Sequence, residues 1–403
     1  MKLNYGIFML ALVTILGSCS GGRKTELPPS PFEHAATQTR ILLGEVKRLR
    51  ADNAQKPFPR TLNKYGELHM VSRKDWTSGF FPGTLWLLYG ETEDPYWLDK
   101  AKEFTALLEQ QKNNPGSHDV GFQIYCSYGN GYKITGDPAY KEIVIQTART
   151  LSTRYNPTVG AIRSWDHNTD KWEYPVIIDN MMNLELLFAA SRFSGDSTFY
   201  KIAVGHANTT MKNHFRDDYS TFHVVGFDPE TGEVLDKNTH QGHADGSAWT
   251  RGQAWGLYGY TMVYRETGDE SYLKLAENIA GFLLEHPRMP EDMVPYWDFD
   301  VPNITEEPRD ASAAAIMASA LYELGTYSEQ GERYRAAADK ILVKLFKKYR
   351  SAVGGNRGFI LQHSTGHKPK DSEVDVPLNY ADYYYLEALT RQKQLLESGS
   401  LEL

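Results

Sequence analysis

Two aspartates, Asp119 and Asp179, have the type and the setting that acid–base chemistry requires. Asp119 stands in Ser-His-Asp-Val-Gly-Phe and Asp179 in Ile-Ile-Asp-Asn-Met-Met-Asn, each where a loop gives way to an apolar, helix-like run. A helix N-terminus stabilises an ionised carboxyl group, whereas burial favours the neutral one, so two carboxyls can supply an acid and a base. We expect both to face one cavity. The alternative is that each merely caps a helix, a position that Asp favours.

A second cluster, of polar and aromatic residues, occupies 240–256 in His-Gln-Gly-His-Ala-Asp-Gly-Ser-Ala-Trp-Thr-Arg-Gly-Gln-Ala-Trp-Gly. Its first half is typical of a loop and its second half opens a helix. Trp249 and Trp255 offer flat faces of the kind on which sugars stack, and Arg251 offers a bidentate fork for a carboxylate. Trp76 adds a further aromatic face. A surface loop that leads into a core helix is the alternative interpretation.

Other classes of chemistry find little support in the sequence. His240 and His243 suggest a metal, but no third ligand has metal-site spacing, so we expect neither a metal nor a cofactor. His223, near a strand-like segment at 219–225, would by itself more often be structural than catalytic. The sequence contains no Gly-rich phosphate loop and no Gly-x-Ser-x-Gly elbow, which disfavours phosphoryl and acyl transfer.

The elements that must position these residues are repeated helical hairpins. The turn Thr-Gly-Asp-Pro-Ala-Tyr at 135–140 returns as Thr-Gly-Asp-Glu-Ser-Tyr at 267–272, with variants at 92–96 and 194–196. In such turns Gly ends one helix in a left-handed cap and Asp caps the next, as in arrays of helical hairpins. Apolar helices before the turns and amphipathic helices after them predict an all-α, six-hairpin (α/α) barrel. We expect inner helices near 78–91, 121–135, 179–194, 250–267, 311–326 and 380–396, and outer helices near 34–52, 95–112, 138–153, 198–214, 270–286 and 331–349.

Charge and the N-terminal segment limit the partners and the compartment. The net charge of −8 over 403 residues argues against a nucleic acid bound through a basic face, although a small anionic ligand remains possible. Residues 1–19 fit a bacterial signal peptide whose lipobox ends at Cys19, which would be lipidated. We therefore expect a tether over 20–32, a single barrel domain over 33–398, and a lipid-anchored protein of the bacterial cell envelope facing the periplasm. The anchor would be its only contact with a membrane.

The motifs around Asp119 and Asp179, with Ala-Trp-Thr-Arg-Gly-Gln-Ala-Trp at 248–255, resemble glycoside hydrolase family 88, the unsaturated glucuronyl hydrolases. The resemblance extends from about Trp76 to Tyr385. It implies an (α/α) barrel that removes a Δ4,5-unsaturated uronic acid from the non-reducing end of oligosaccharides made by polysaccharide lyases. Members protonate C4 of the vinyl ether and add water at C5.

Carried onto this chain, the resemblance implies roles for individual residues. Asp179 matches the general acid/base and Asp119 the assisting carboxylate of the family. Substrate contacts are implied at family motif positions for His223, Gln241, Trp249 and Arg251, whereas Trp76 is a candidate through its aromatic face alone. The loop Gln-His-Ser-Thr-Gly-His-Lys-Pro-Lys at 362–370 suggests sulfate contacts by Ser364 and Lys368, although its spacing departs from the family pattern and a solvated basic turn is the alternative.

Three other functions remain open at this point. The related family 105 of unsaturated rhamnogalacturonyl hydrolases would share the barrel and the hydration chemistry but act on pectin-derived substrates. A sugar epimerase on an (α/α) barrel would be expected to use paired His groups rather than two Asp. A lipid-anchored glycan-binding protein would have the same pocket but would not turn over the bound glycan. The favoured prediction is an enzyme acting on glycosaminoglycan disaccharides.

Overall fold

The computed structural model describes residues 30–403, and the predicted signal peptide, Cys19 and most of the predicted tether lie outside the described residues. Within this range, α-helices form an inner and an outer ring, so the predicted six-hairpin (α/α) barrel is confirmed. The inner ring contains α2 (Phe80–Thr92), α4 (Val120–Ile124) with α5 (Asn130–Thr135), α7 (Leu184–Ser194), α9 (Thr250–Thr267), α11 (Ala311–Leu324) and α13 (Asn379–Ser398). The outer ring contains α1 (Pro31–Asp52), α3 (Pro95–Ala106), α6 (Pro138–Ser152), α8 (Ser197–Asn213), α10 (Glu270–Glu285) and α12 (Gly331–Lys344).

The two rings differ in how their side chains are buried. Every residue of α11 is buried, because small residues let it pack on all sides. Its outer partner α12 buries only one stripe, at Gly331, Tyr334, Ala338, Ile341 and Leu342, with the spacing of an amphipathic helix. Successive inner helices contact one another, and α13 packs against α2 to close the ring.

The hairpin turns have the cap chemistry that the sequence predicts. Gly136 and Gly268 both have a φ of 68° at the end of an inner helix, a left-handed conformation that suits glycine. The next residue in each case, Asp137 or Asp269, accepts a hydrogen bond from a backbone N–H in the first turn of the outer helix. Each inner helix therefore runs in the same direction, and all of them begin at one mouth of the barrel.

The inner helices depart from the prediction at their starts. α4 continues through a π-helical turn, Tyr125–Gly129, directly into α5, so the predicted helix at 121–135 is present with a change of helix type at its centre. A 3-10 turn, Trp76–Gly79, precedes α2, and another, Ile178–Asn183, precedes α7. Over residues 30–403, no helix combines the length and the apolar character that crossing a membrane requires.

Short strands, which the sequence barely indicated, lie in the loops between hairpins. The pairs are β1 (Phe58–Leu62) with β2 (Leu68–Val71) and β3 (Tyr155–Asn156) with β4 (Ala161–Ile162). A three-stranded antiparallel sheet has the order β5 (Tyr174–Ile177), β6 (Val224–Phe227) and β7 (Val234–Asn238). The strand-like segment at 219–225 overlaps only the start of β6. A further hairpin, held by backbone pairing of Ser364 with Val376 and of His367 with Ser372, is called the mouth hairpin (residues 364–376).

Candidate active site

Close packing at the mouth brings the segment of Asp119 against that of Asp179. The backbone N–H of Phe122 donates to Asn183 Oδ1 at 2.8 Å, which joins the first turn of α4 to the 3-10 turn before α7. Gly121 makes this approach possible, because a Cβ at that position would collide with Asn183. The two predicted site aspartates thus lie on adjoining segments at the mouth.

Asp119 occupies the N-cap position of α4, but its side chain makes no capping hydrogen bond to the helix. Ser117 Oγ donates to Asp119 Oδ2 at 2.7 Å, and His118 Nε2 lies 3.2 Å from Oδ1. Burial acts to raise the pKa of Asp119, but His118, Ser117 and the positive charge of Arg154 together hold the pKa below its usual value of 3.8. The Asp119 carboxyl is therefore ionised at neutral pH, and its side chain does not cap the helix by a hydrogen bond.

Asp179 is positioned by the β5–β6 pairing. Because Ile177 pairs with Val224, the residues beyond these strand ends lie side by side, and Ile178 N–H donates to the His223 carbonyl at 3.1 Å. Asp179 Oδ1 consequently lies 3.3 Å from His223 Nε2. Both atoms are buried, and their contact lacks hydrogen-bond geometry, so each is left without a hydrogen-bond partner in the protein.

The tautomer of His223 follows from its other ring nitrogen. The backbone N–H groups of His240 and Gln241 both point at His223 Nδ1, at 3.2 and 3.1 Å. A nitrogen that accepts from two donors carries no proton in the neutral ring, so the proton resides on Nε2. His223 therefore presents an N–H to the space next to Asp179.

Aromatic rings form the walls around this pair. His223 stacks on Trp249 with 4.4 Å between ring centroids, and Trp76 packs against Tyr380 at 5.0 Å. Trp76 is half-buried, whereas Trp249 is 3% exposed. Trp255 is wholly buried among core aromatics, which corrects the expectation that it offers a face to sugars.

Arg251 is built into the protein rather than open to solvent. Its Nη1 donates to Asp310 Oδ2 at 2.8 Å and to the Thr365 carbonyl, and its Nη2 donates to the Gly366 carbonyl at 2.7 Å. The residue is 1% exposed. The expectation of an open fork is thus corrected for Nη1 and Nη2, which Asp310 and the mouth hairpin occupy, whereas Nε is buried without a hydrogen-bond partner.

The mouth hairpin is tied to the 240–241 loop by two further hydrogen bonds. Gln241 Nε2 donates to the Gly366 carbonyl at 3.1 Å. The His367 ring lies with its Nε2 2.9 Å from the His240 carbonyl. The hairpin therefore covers the start of α9 and forms part of the mouth.

Ser364 and Lys368 do not form one cluster. Ser364 is wholly buried at the base of the mouth hairpin, and its Oγ has no hydrogen-bond partner. Lys368 lies in the 3-10 turn Lys368–Lys370 at the tip of the hairpin. Backbone pairing of the hairpin separates its base from its tip, so a sulfate contact by each residue stays a separate prediction.

Comparison with known proteins identifies the family. The family model described as Glycosyl Hydrolase Family 88 matches residues 51–390 of the chain. The chain belongs to glycosyl hydrolase family 88. An unsaturated glucuronyl hydrolase of Formosa agariphila is 53% identical over 342 residues, covering 84% of this chain and 85% of that protein. An unsaturated chondroitin disaccharide hydrolase of Streptococcus pneumoniae is 32% identical over 390 residues, covering 95% of this chain and 98% of that protein.

A solved structure resembles this family 88 glycosidase over its described length. It is the crystal structure of an unsaturated glucuronyl hydrolase specific for heparin, with 46% identity and a TM-score of 0.86. The superposition covers 91% of this chain and 98% of that structure. The barrel of this chain is therefore the barrel of a family 88 enzyme.

Tyr380 and His118 are built into this family 88 site, yet the sequence analysis did not single them out. The Tyr380 hydroxyl is buried without a partner, and burial raises its pKa, so it stays a neutral donor. Their places in the sequence could have identified both as site residues, since His118 directly precedes Asp119 and Tyr380 lies in the first turn of the last inner helix. Among the residues that the structure describes, no group of three or more His, Cys, Asp or Glu side chains could hold a metal ion.

Proposed function

We propose that this family 88 glycosidase removes the Δ4,5-unsaturated uronic acid from the non-reducing end of lyase-generated oligosaccharides. One observation carries the proposal: Asp179 Oδ1 and His223 Nε2 are buried side by side without partners, next to the segment that bears Asp119. Buried polar atoms are normally hydrogen-bonded, so unpartnered ones at a mouth fit a polar ligand that completes them. The names of the relatives support the same activity.

Asp179 is the proposed acid and then the base. Its carboxyl gives a proton to C4 of the vinyl ether, and the C4=C5 electron pair forms the new C–H bond. Positive charge develops at C5 and its ring oxygen, and water adds at C5 while Asp179 takes a proton from that water. The resulting hemiketal rearranges and releases the sugar, so the carboxyl is regenerated in each cycle.

Asp119 is the proposed electrostatic partner in this step. Because its neighbours keep it ionised, its negative charge stabilises the cation that develops at C5. The N–H of His223 holds the ring beside Asp179, and Trp76 and Trp249 provide walls that orient it. Arg251 contributes by fixing Gly366 and hence the mouth hairpin.

Glycosaminoglycan disaccharides are the proposed substrate class. The relatives named above act on glucuronyl, chondroitin or heparin substrates according to their names. The test is a panel of unsaturated disaccharides from chondroitin, hyaluronan, heparin and rhamnogalacturonan lyase digests, followed through the ultraviolet absorbance of the C4=C5 bond. The control for each disaccharide is the same compound with its C4=C5 bond reduced, which should give no product.

The panel separates the proposal from its rivals. Loss of absorbance with the glycosaminoglycan disaccharides is expected. Preferential turnover of the rhamnogalacturonan disaccharide would instead favour the activity of family 105. Binding of disaccharides by calorimetry without any loss of absorbance would indicate a glycan-binding protein and refute the enzyme.

We further infer that the mature protein is anchored to the bacterial cell envelope through lipidated Cys19 and faces the periplasm. The support is the lipobox-like Leu-Gly-Ser-Cys at 16–19. In a bacterial host, the wild-type chain should take up labelled palmitate and fractionate with membranes, whereas Cys19→Ser should do neither. A soluble, unlabelled wild-type protein would refute the anchor.

A further inference from the structure

Arg60, in strand β1, makes charge-assisted hydrogen bonds to two separate acids. Its Nε and Nη2 donate to Glu373 Oε1 and Oε2 at 2.6 and 2.7 Å, a bidentate pair. Its Nη1 donates to Asp75 Oδ2 at 2.8 Å. The Arg60 side chain is 21% exposed and that of Glu373 10%, so the pair is shielded from solvent more than a surface ion pair.

On one side this contact reaches the turn that carries Trp76. Asp75 Oδ1 accepts hydrogen bonds from the backbone N–H and the hydroxyl of Thr77, at 2.9 and 2.7 Å, and so caps the 3-10 turn. The Asp75 carbonyl also accepts from Gln123 Nε2 at 2.9 Å, which joins the turn to α4. Arg60 thus holds the carboxylate that fixes the orientation of the Trp76 turn.

On the other side the contact reaches the mouth hairpin. Glu373 lies across that hairpin from Gly366, and a Cβ at Gly366 would collide with the Glu373 carboxylate. Glycine there leaves the room through which Glu373 extends to Arg60. The Gly366 carbonyl is in turn the acceptor for Gln241 and Arg251, so the hairpin is held from both faces.

We propose that Arg60 is a positioning residue that sets the width of the mouth by joining the Trp76 turn to the mouth hairpin. It touches no substrate and acts through Asp75 and Glu373. The proposal rests on the proposed function, because the mouth that it shapes is the entrance for the disaccharide. Loosening the joint should weaken substrate retention while leaving the Asp179 chemistry in place.

The test uses Arg60→Lys, which keeps the charge but loses the fork, together with Glu373→Gln and the double variant. Relative to wild type, KM for the preferred disaccharide should rise about tenfold, which corresponds to about 1.4 kcal/mol, with kcat changed less than about twofold. The double variant should be no worse than Arg60→Lys, because both changes break one joint. Arg50→Lys is the matched control, since Arg50 pairs with Glu103 at 2.6 Å between α1 and α3, and its KM should not change.

A second measurement does not depend on turnover. Amide hydrogen exchange of the full chain without substrate should be faster within 364–376 in both single variants, and faster around Trp76 in Arg60→Lys, than in wild type or Arg50→Lys. An unchanged KM together with unchanged exchange overturns the role of Arg60, as does a loss confined to kcat. If wild type turns over no disaccharide of the panel, the proposed function fails separately, and exchange alone then decides whether Arg60 holds the hairpin.

Discussion

Charged side chains are grouped at two places in the barrel, one at the mouth, just before α4 and α7, and one deeper, on α7, α9, α11 and α13. In the deep cluster, Arg265 lies 2.5 Å from Glu185 and 2.9 Å from Glu323, and Arg391 lies 2.9 Å from Glu323. Every one of these four charges has an opposite charge within ion-pair distance. At the mouth, in contrast, the group within ion-pair distance of Asp179 is the imidazole of His223, at 3.3 Å, and no Lys or Arg of the described residues lies that close. A buried oxygen without a hydrogen bond occurs in both groups, at Asp179 Oδ1 and at Glu323 Oε2.

Each acid of the deep cluster thus has a permanently charged Arg partner, whereas Asp179 has only an imidazole beside it, which suits the role proposed for Asp179 as a group that exchanges a proton. Breaking a complete buried ion pair leaves an uncompensated charge, so such a cluster holds helices in one arrangement. Burial and charge alone would not have distinguished the two clusters.

The largest expected effect comes from the mouth. Asp179→Asn keeps the shape of the side chain but cannot cycle a proton, so kcat should fall by about 10³-fold or more. The midpoint of urea unfolding should stay at the wild-type value, because Asp179 Oδ1 has no hydrogen bond to lose. Absorbance decay measures kcat, and calorimetry measures binding of the disaccharide. A variant that retains turnover would refute Asp179 as the acid/base.

The reverse result is expected in the deep cluster. Glu323 is wholly buried between Arg265 and Arg391, so Glu323→Gln should lower the free energy of unfolding by about 3 kcal/mol. KM for the disaccharide should be unchanged. Urea denaturation measures the loss, and Glu329→Gln, an exposed carboxyl just after α11, serves as the control. A raised KM with unchanged stability would reverse the assignment of the two clusters.

The sequence predicted only part of the structure on which this comparison depends. The barrel and the mouth were predictable because each Thr-Gly-Asp turn reverses the chain, which makes every inner helix start at the same end. That logic placed Asp119 and Asp179 together without any knowledge of contacts. It could not pair Asp179 with His223, because β5 and β6 are only four residues long each and such short strands leave a weak pattern.

Arg251 shows a different limit. Its residue type suggested a fork for a ligand, but the groups that occupy it, Asp310 and the carbonyls of Thr365 and Gly366, come from much later in the chain. Nothing local to 248–255 encodes that arrangement. The same holds for Arg60, whose partner Glu373 belongs to the opposite end of the sequence.

A smaller effect is expected when the electrostatic surroundings of Asp119 at the mouth are changed. His118 helps to hold the pKa of Asp119 below 3.8, so His118→Asn should raise that pKa toward its usual value. Because Asp119 is proposed to act ionised, the acid limb of the profile of kcat/KM against pH should move to higher pH. His69→Asn, on exposed β2 surface, is the control. An acid limb that stays in place would show that Asp119 does not set it.

The smallest expected effect compares the two hydrogen-bonding groups of the mouth hairpin. If unpartnered buried atoms mark ligand contacts, Ser364→Ala should raise KM for a sulfated disaccharide by about fivefold, near 1 kcal/mol. Lys368→Ala, at the partly exposed tip, should raise KM by only about twofold, and the effect should fade in high salt. The unsulfated disaccharide is the control for both. A larger effect of Lys368→Ala would mean that the tip charge, rather than the buried hydroxyl, reads the sulfate.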